Sequence, residues 1–117
     1  MNFKVVMKEE AKQLRPEGWF NAVAGALHSG DDVINGELEL EIGHFLPGGK
    51  TSDLKAELET IFYVQKGEMN ITMDDGIGYT LYLGDSIHIG VDTGYRLFNA
   101  SSSPAELVVM KIQPNDA

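Results

Sequence analysis

The sequence contains no cysteine, and this absence excludes several kinds of protein. Without thiols the chain has no disulfide framework, no thiolate nucleophile and no cysteine-bearing zinc site. Basic residues are also scarce, with 9 lysines and arginines against 18 aspartates and glutamates, for a formal net charge of -9. A surface of that sign repels phosphate backbones and anionic lipids, so we expect no nucleic-acid partner and no membrane partner.

Long apolar runs are missing as well. No run approaches the roughly 20 residues needed to cross a bilayer, and the first residues lack the basic start and apolar core of a signal peptide. We therefore predict a cytoplasmic protein. The 117 residues suit one domain, because a chain of this size buries roughly 65% of its extended surface around a single core.

Short apolar or alternating runs separated by turn residues make up most of the chain. Between Thr60 and Asn99 the turn signals are Gly67, Asp74-Asp75-Gly76 and Gly84-Asp85, which divide the stretch into successive strands. About eight such strands at roughly 8 to 12 residue spacing, with little helix, indicate a jelly-roll sandwich or barrel. The predicted fold class is therefore all-β, with two antiparallel sheets.

The first third of the chain gives weaker signals. Phe3, Val5 and Met7 alternate with Lys4 and Lys8, which predicts a first edge strand. Residues 8–15 predict one or two helical turns before a proline. Residues 19–27 predict a second strand, whose small side chains permit close approach by a neighbour.

The clearest period-2 pattern runs from Glu37 to His44, with carboxylates at every second position and apolar side chains between them. Successive side chains of a strand point to opposite faces. If the apolar face is the inner one, His44 points into the barrel together with Leu38, Leu40 and Ile42.

Two spaced motifs in this chain resemble those of the cupin superfamily, which are G-x5-H-x-H-x3-4-E-x6-G and G-x5-P-x-G-x2-H-x3-N. Gly48 and Gly67 bracket the first without a gap, and Gly84 and Asn99 bracket the second. The resemblance covers roughly residues 38–113 and implies a double-stranded β-helix. On this basis we divide the single domain into N-terminal strands and turns (1–36), a cupin-like core (37–113) and a loose tail (114–117).

The chain departs from the family at the metal ligands. The positions of the family's two histidines, glutamate and third histidine hold Leu54, Ala56, Thr60 and Tyr95. Leucine and alanine have no donor atom, threonine is a weak neutral ligand, and tyrosine suits mainly acidic ions such as ferric iron. The resemblance therefore implies a metal-independent member with no cofactor, and it implies that these four side chains converge.

Acid–base chemistry without a metal is the catalytic hypothesis. An imidazole titrates near pH 6.5 and a phenol near 10, so His44 could take a proton while Tyr95 returns one or holds an oxyanion. We predict His44, Tyr95 and Thr60 as catalytic residues. The predicted substrate contacts are Leu54, Ala56, Phe62 and His88. The pairing suits an isomerase, cyclase or lyase acting on a small carbonyl compound.

Each candidate also has a structural interpretation. His44 could be a hydrogen-bonded core histidine, and Tyr95 could fill the volume of a lost metal site. His88 alternates with two isoleucines and would face outward if these line the core. Lys111, in the last strand, is expected to face outward, and Trp19 is expected to belong to the core or an interface.

Three functions therefore remain open. The first is a small metal-free enzyme with a small-molecule ligand in its barrel. The second is a non-catalytic binding or accessory module that uses the same pocket. The third is a divalent-metal protein whose site is rebuilt from His44 and nearby carboxylates. The family resemblance also implies a homodimer, with the first strand and the region of Trp19 and Phe20 as packing surfaces.

Overall fold

Ten β-strands and one short helical turn account for most of residues 3–29 and 38–112, which are the residues that the computed structural model describes. The helical turn is a 3-10 helix over Lys8–Glu10. The strands are β1 (Lys12–Leu14), β2 (Trp19–His28), β3 (Leu38–Thr51), β4 (Leu54–Lys55), β5 (Glu59–Lys66), β6 (Met69–Met73), β7 (Gly78–Leu81), β8 (Ser86–Ile89), β9 (Gly94–Phe98) and β10 (Ala105–Ile112). No described helix has the length and apolar character that spanning a membrane requires.

The strands form a nearly closed antiparallel barrel, which confirms the predicted all-β jelly-roll. The main hydrogen-bonded path runs β7-β6-β9-β3-β10-β5-β8, and β1 and β2 extend it beside β3. The two expected sheets are continuous because β3 is 14 residues long and pairs with β2, β10 and β9. The loose tail predicted for 114–117 lies outside the described residues.

The N-terminal segment differs from the sequence prediction. Residues 3–7 form no strand, so the predicted edge strand at Phe3, Val5 and Met7 is wrong. Of the helical turns predicted over 8–15, one 3-10 turn is present at residues 8–10, and the following residues form β1. Pairing of β1 with the edge of β2 overrides the local helical preference. The second predicted strand is confirmed as β2.

The core fills the inside of the barrel and takes side chains from most of the strands. Its buried members are Phe45, Ala56, Phe62, Val64, Met69, Ile71, Leu81, Ile89, Leu97, Ala105, Leu107 and Val109. Trp19 packs against this cluster with its ring centroid 4.9 Å from that of Phe45. Burial of each large side chain here stabilises the fold by roughly 1.5–3 kcal/mol.

The predicted orientation of β3 is reversed. Glu41, Gly43 and Phe45 are the buried positions, and the alternate positions, including Ile42 and His44, face the other side. The prediction assumed that only one face of the strand is covered. Ile42 shares an outer groove with Val6 and other N-terminal residues, so the outer face also receives apolar cover.

Asn99 holds the second motif to the first. Its backbone pairs with Gly48 and Gly49 through two hydrogen bonds of 2.8 Å. Its buried amide nitrogen donates to the carbonyl oxygens of Phe45, Leu46 and Ser103, and its amide oxygen accepts from Ser101. Gly48 has φ +81°, a backbone conformation that glycine adopts at little cost. These motif residues therefore have a structural role in this chain.

Candidate functional site

The barrel contains a cavity of about 320 Å³ at one end, which we call the barrel cavity. Most of its lining comes from β3, β4, β5, β9 and β10 and from the turn before β2. The lining residues are Pro16, Glu17, Trp19, Glu39, Leu54, Lys55, Ala56, Glu57, Leu58, Thr60, Phe62, Tyr95, Val109 and Lys111. Apolar and aromatic side chains share this lining with five charged ones, and a cavity of this size lies in the range of small-molecule sites.

The four positions that correspond to the family's metal ligands meet in the barrel cavity. Leu54 on β4 lies directly opposite Tyr95 on β9. Ala56 follows in the same segment and Thr60 lies on β5, and all four line the one cavity. The structure thus brings together five of the seven predicted site residues, since Phe62 also belongs to this lining.

Two polar groups in this set have defined surroundings. The Thr60 hydroxyl donates to the carbonyl oxygen of Leu58 at 2.8 Å, so it remains an acceptor. Burial raises the pKa of the Tyr95 phenol above its ordinary value of 10. The phenol is consequently protonated at neutral pH and available as a hydrogen-bond donor. Its ring stands edge-on to Phe62 with the centroids 5.6 Å apart.

These residues do not fit the divalent metal site of the family. Two of the four side chains have no donor atom, the threonine hydroxyl is a weak neutral ligand, and burial favours the neutral phenol over the metal-binding phenolate. Within residues 3–29 and 38–112, no three His, Cys, Asp or Glu side chains are grouped so that they could hold a metal ion. We therefore derive no chemistry from a metal here.

Lys111 was expected to face outward, and this is wrong because it lines the barrel cavity. It lies opposite Glu39 and Thr60 in the strand register, and its Nζ is 3.6 Å from the Oε1 atom of Glu41. The Glu41 side chain is only 11% exposed, against 37% for Lys111. The cavity lining therefore includes the carboxylate of Glu39 and a lysine that pairs with the nearly buried Glu41.

Sequence reasoning missed these charged groups. The alternation of Glu37 to His44 predicts an inward apolar side, which places Glu39 and Glu41 in solvent. A signal was available in the chain, because Lys111 interrupts an apolar final strand and a buried carboxylate requires such a partner. Alignment of β3 with β10 would have placed Lys111 beside Glu39 and close to Glu41.

His44 does not share the cavity with Thr60 and Tyr95, so its predicted inward position is wrong. Its side chain is 44% exposed on the outer face, and Nδ1 lies 3.5 Å from the Oε1 atom of Glu106. The reversed phase of β3 is the cause. Among the described residues, Glu106 is the only carboxylate that pairs with His44, and no three possible ligands are grouped there. The hypothesis of a metal site rebuilt around His44 therefore has no support in this position.

His88 is also absent from the barrel cavity. It alternates on β8 with Ile87 and Ile89, which face the core, and it forms an ion pair with Glu59 on the neighbouring strand. Its predicted contact with substrate is therefore wrong. Glu59 points away from Thr60, its neighbour on β5, because successive side chains of a strand point to opposite faces.

Aromatic side chains form part of the cavity wall. Trp19, Phe62 and Tyr95 all contribute to it, and Trp19 also covers Gly43, where an added methyl carbon would lie 3.2 Å from the indole ring. Trp19 is the only tryptophan of the chain. Its fluorescence will therefore report directly on the contents of the cavity.

No protein-family model and no curated protein matches the chain. Solved structures do resemble it closely in shape. The polyketide cyclase RemF from Streptomyces resistomycificus has a TM-score of 0.83 and 19% identity, with 99% of this chain and 83% of that one covered. A predicted oxalate decarboxylase from Thermotoga maritima has a TM-score of 0.82 and 19% identity, with 95% and 100% covered.

A third similar structure is a complex between two proteins. Drosophila melanogaster CENP-C bound to CAL1 has a TM-score of 0.72 and 22% identity, with 90% of this chain and 82% of that chain covered. Similarity at such identities identifies the fold alone. That fold is shared by enzymes and by a protein that assembles with another protein.

Proposed function

We propose that this protein, whose chain has the cupin fold, binds a small neutral carbonyl compound in its barrel cavity without a metal ion. The observation that carries the proposal is the convergence of Leu54, Ala56, Thr60 and Tyr95 on one cavity with aromatic walls. Leu54 and Ala56 have no donor atom, so the site favours an organic ligand over an ion.

The charge of the lining favours a neutral ligand. Glu17, Glu39 and Glu57 line the cavity beside Lys55 and Lys111, and Lys111 is already paired with Glu41. An added anion would meet an excess of carboxylates. A planar carbonyl compound can instead stack on Trp19 or Phe62 while the neutral Tyr95 phenol donates to its oxygen.

Titration with 1-tetralone, a bicyclic aromatic ketone, tests this proposal through the fluorescence of Trp19. We expect saturable quenching that EDTA does not change. Tyr95→Phe should weaken binding about fivefold, because a neutral hydrogen bond contributes about 1 kcal/mol. The matched control is Tyr79→Phe, whose ring is exposed and outside the cavity. Unsaturable quenching, or equal effects of both variants, would contradict the proposal.

Acid–base catalysis by the same cavity is the second candidate function. The supporting observation is that a carboxylate, Glu39, and a phenol held neutral by burial, Tyr95, line one cavity. Glu39 would take a proton from the carbon next to the carbonyl group, and Tyr95 would donate a hydrogen bond to the developing enolate oxygen. Such proton transfer is the first step of many isomerisations, cyclisations and eliminations, and RemF, which shares the fold, is a polyketide cyclase.

Deuterium exchange separates catalysis from binding. In D2O the protein should accelerate exchange of the 1-tetralone protons next to the carbonyl, and Glu39→Gln should abolish this while quenching of Trp19 persists. If the 1-tetralone protons exchange only at the uncatalysed rate while 1-tetralone binds normally, the protein binds the ketone but does not catalyse proton transfer.

Assembly into a homodimer is also proposed. Phe3, Val5 and Met7 are exposed apolar side chains of the N-terminal segment, and Phe20 is exposed nearby in sequence. Exposed apolar groups of this kind mark association surfaces. Light scattering at micromolar concentration should give twice the monomer mass, and a monomer mass would refute the dimer.

A further inference from the structure

The outer face of the barrel carries a second concave site, and we propose that it binds a small carboxylate with an apolar body. This outer groove has a volume of about 380 Å³ and lies between the N-terminal segment and strands β2, β3, β5 and β10. It contains His44, which the barrel cavity lacks. The proposal is independent of the ligand proposed for the barrel cavity, because the two linings share no residue.

The apolar part of the outer groove has walls on both sides. Val6 and Ala11 come from the N-terminal segment, and Leu27 and Ile42 come from β2 and β3. The segment lies close to the sheet at Gly25, where an added methyl carbon would be 3.4 Å from the Ala11 side chain. An alkyl chain placed between these walls would be removed from water along most of its length.

The polar part of the groove is organised around Glu106. Its Oε1 atom is 3.5 Å from Nδ1 of His44, and its Oε2 atom accepts a 3.0 Å hydrogen bond from Nε2 of Gln65. Gln65 holds the carboxylate, and the imidazole lies with Nδ1 toward Glu106. The Nε2 atom of His44 is then the ring atom left to meet a ligand.

Charge decides the class of ligand. The charged groups that line the groove are Lys8 from the N-terminal segment, His44 from β3 and Glu106 from β10. Lys8 is a cation of the groove, and Glu106 already has Gln65 and His44 as neighbours, in a protein whose net charge is -9. An anionic head at this end would form charge-assisted hydrogen bonds, while its alkyl chain would occupy the apolar part.

Octanoate is a suitable probe because it has one carboxylate and a short alkyl chain. In the full-length protein labelled with 15N-histidine at pH 6, octanoate should shift the ring signals of His44 and leave those of His88 unchanged. His88 is the internal reference, since it also pairs with a glutamate on the outer surface but lies outside the groove.

Variants and a neutral probe complete the test. We expect His44→Gln to weaken octanoate binding about tenfold and His88→Gln to leave it unchanged. Octanol, which lacks the charge, should bind more weakly than octanoate to the unaltered protein.

Three results would overturn the proposal. In the first, the ring signals of His44 do not shift at millimolar octanoate. In the second, the fluorescence of Trp19 responds to octanoate while the His44 signals do not. In the third, the His44 signals shift with protein concentration and not with octanoate. The second result would place the probe in the barrel cavity, and the third would assign the groove to a second copy of the chain.

Discussion

Leu54 and Tyr95 are directly opposite each other on β4 and β9, and both project into the barrel cavity. These are two of the four positions at which the cupin motifs carry metal ligands. Here one supplies an isobutyl group and the other a phenol that burial keeps neutral. The positions that correspond to the motif's ligands therefore meet in one cavity although Leu54 and Ala56 have no donor atom, and substitutions at these positions can test the cavity's properties.

Returning donor atoms to these positions should create a metal site. The triple variant Leu54→His, Thr60→Glu and Tyr95→His places two imidazoles and a carboxylate on one cavity. We expect it to bind Mn²⁺ or Ni²⁺ stoichiometrically by calorimetry, whereas the unaltered protein does not. The matched control replaces Thr60 by Gln in the same background and should bind at least tenfold more weakly. If the unaltered protein retains tightly bound metal after purification without chelator, the proposed metal independence is wrong.

Ionisation of Tyr95 should weaken the fold at high pH. Because burial raises the pKa of this phenol, the folded state keeps its proton above pH 10 while the unfolded state has released it. The free energy of unfolding should therefore fall as pH rises above about 10, until the folded state also ionises. Difference absorbance at 295 nm between the protein and Tyr95→Phe isolates the titration. A midpoint at or below the ordinary value would contradict this prediction.

Asn99 should be a strong determinant of stability. Its buried amide satisfies three carbonyl oxygens and accepts from Ser101, so Asn99→Ala should lower the free energy of unfolding by about 2–4 kcal/mol in urea titrations. Asn99→Asp should be worse, because a carboxylate would face carbonyl oxygens. Asn70→Ala, which removes one exposed hydrogen bond to Thr80, should cost less than about 1 kcal/mol. Similar losses for Asn99→Ala and Asn70→Ala would exclude this role.

The ion pair between Glu41 and Lys111 should show coupling. Lys111→Met leaves the Glu41 carboxylate nearly buried without its partner and should destabilise the protein by about 1–3 kcal/mol. Glu41→Leu in the same background should recover most of that loss, because the unpaired charge is gone. A double-mutant cycle in urea gives the coupling energy. Additive effects of the two substitutions would mean that the pair does not interact in solution.

The two motifs allowed the sequence to predict the fold and part of the site. Their glycines and Asn99 have fixed spacing, and the resemblance implied that Leu54, Ala56, Thr60 and Tyr95 converge, which they do. These predictions depend on local geometry or on distances along one chain, and tertiary packing does not alter them.

The predictions that failed depend on which face of a strand is covered. His44 was placed inside because the alternating glutamates of β3 suggested a solvated face, and Lys111 was placed outside because it is charged. The structure pairs Lys111 with Glu41 inside the barrel and covers the outer face of β3 with the N-terminal segment. A one-residue change of phase exchanges every side chain of a strand between its two faces. The wrong assumption about β3 therefore placed the predicted general base, His44, on the wrong face.

The sequence by itself determined an all-β barrel and the loss of the family's metal donors, because strand periodicity, turn residues and donor atoms are properties of local residues. Only the tertiary structure decided that Glu39 and Lys111 line the cavity together with Tyr95, and that His44 belongs to a separate outer groove. The physical reason is that burial of a charged side chain depends on its partner across the sheet, and a strand does not specify that partner alone.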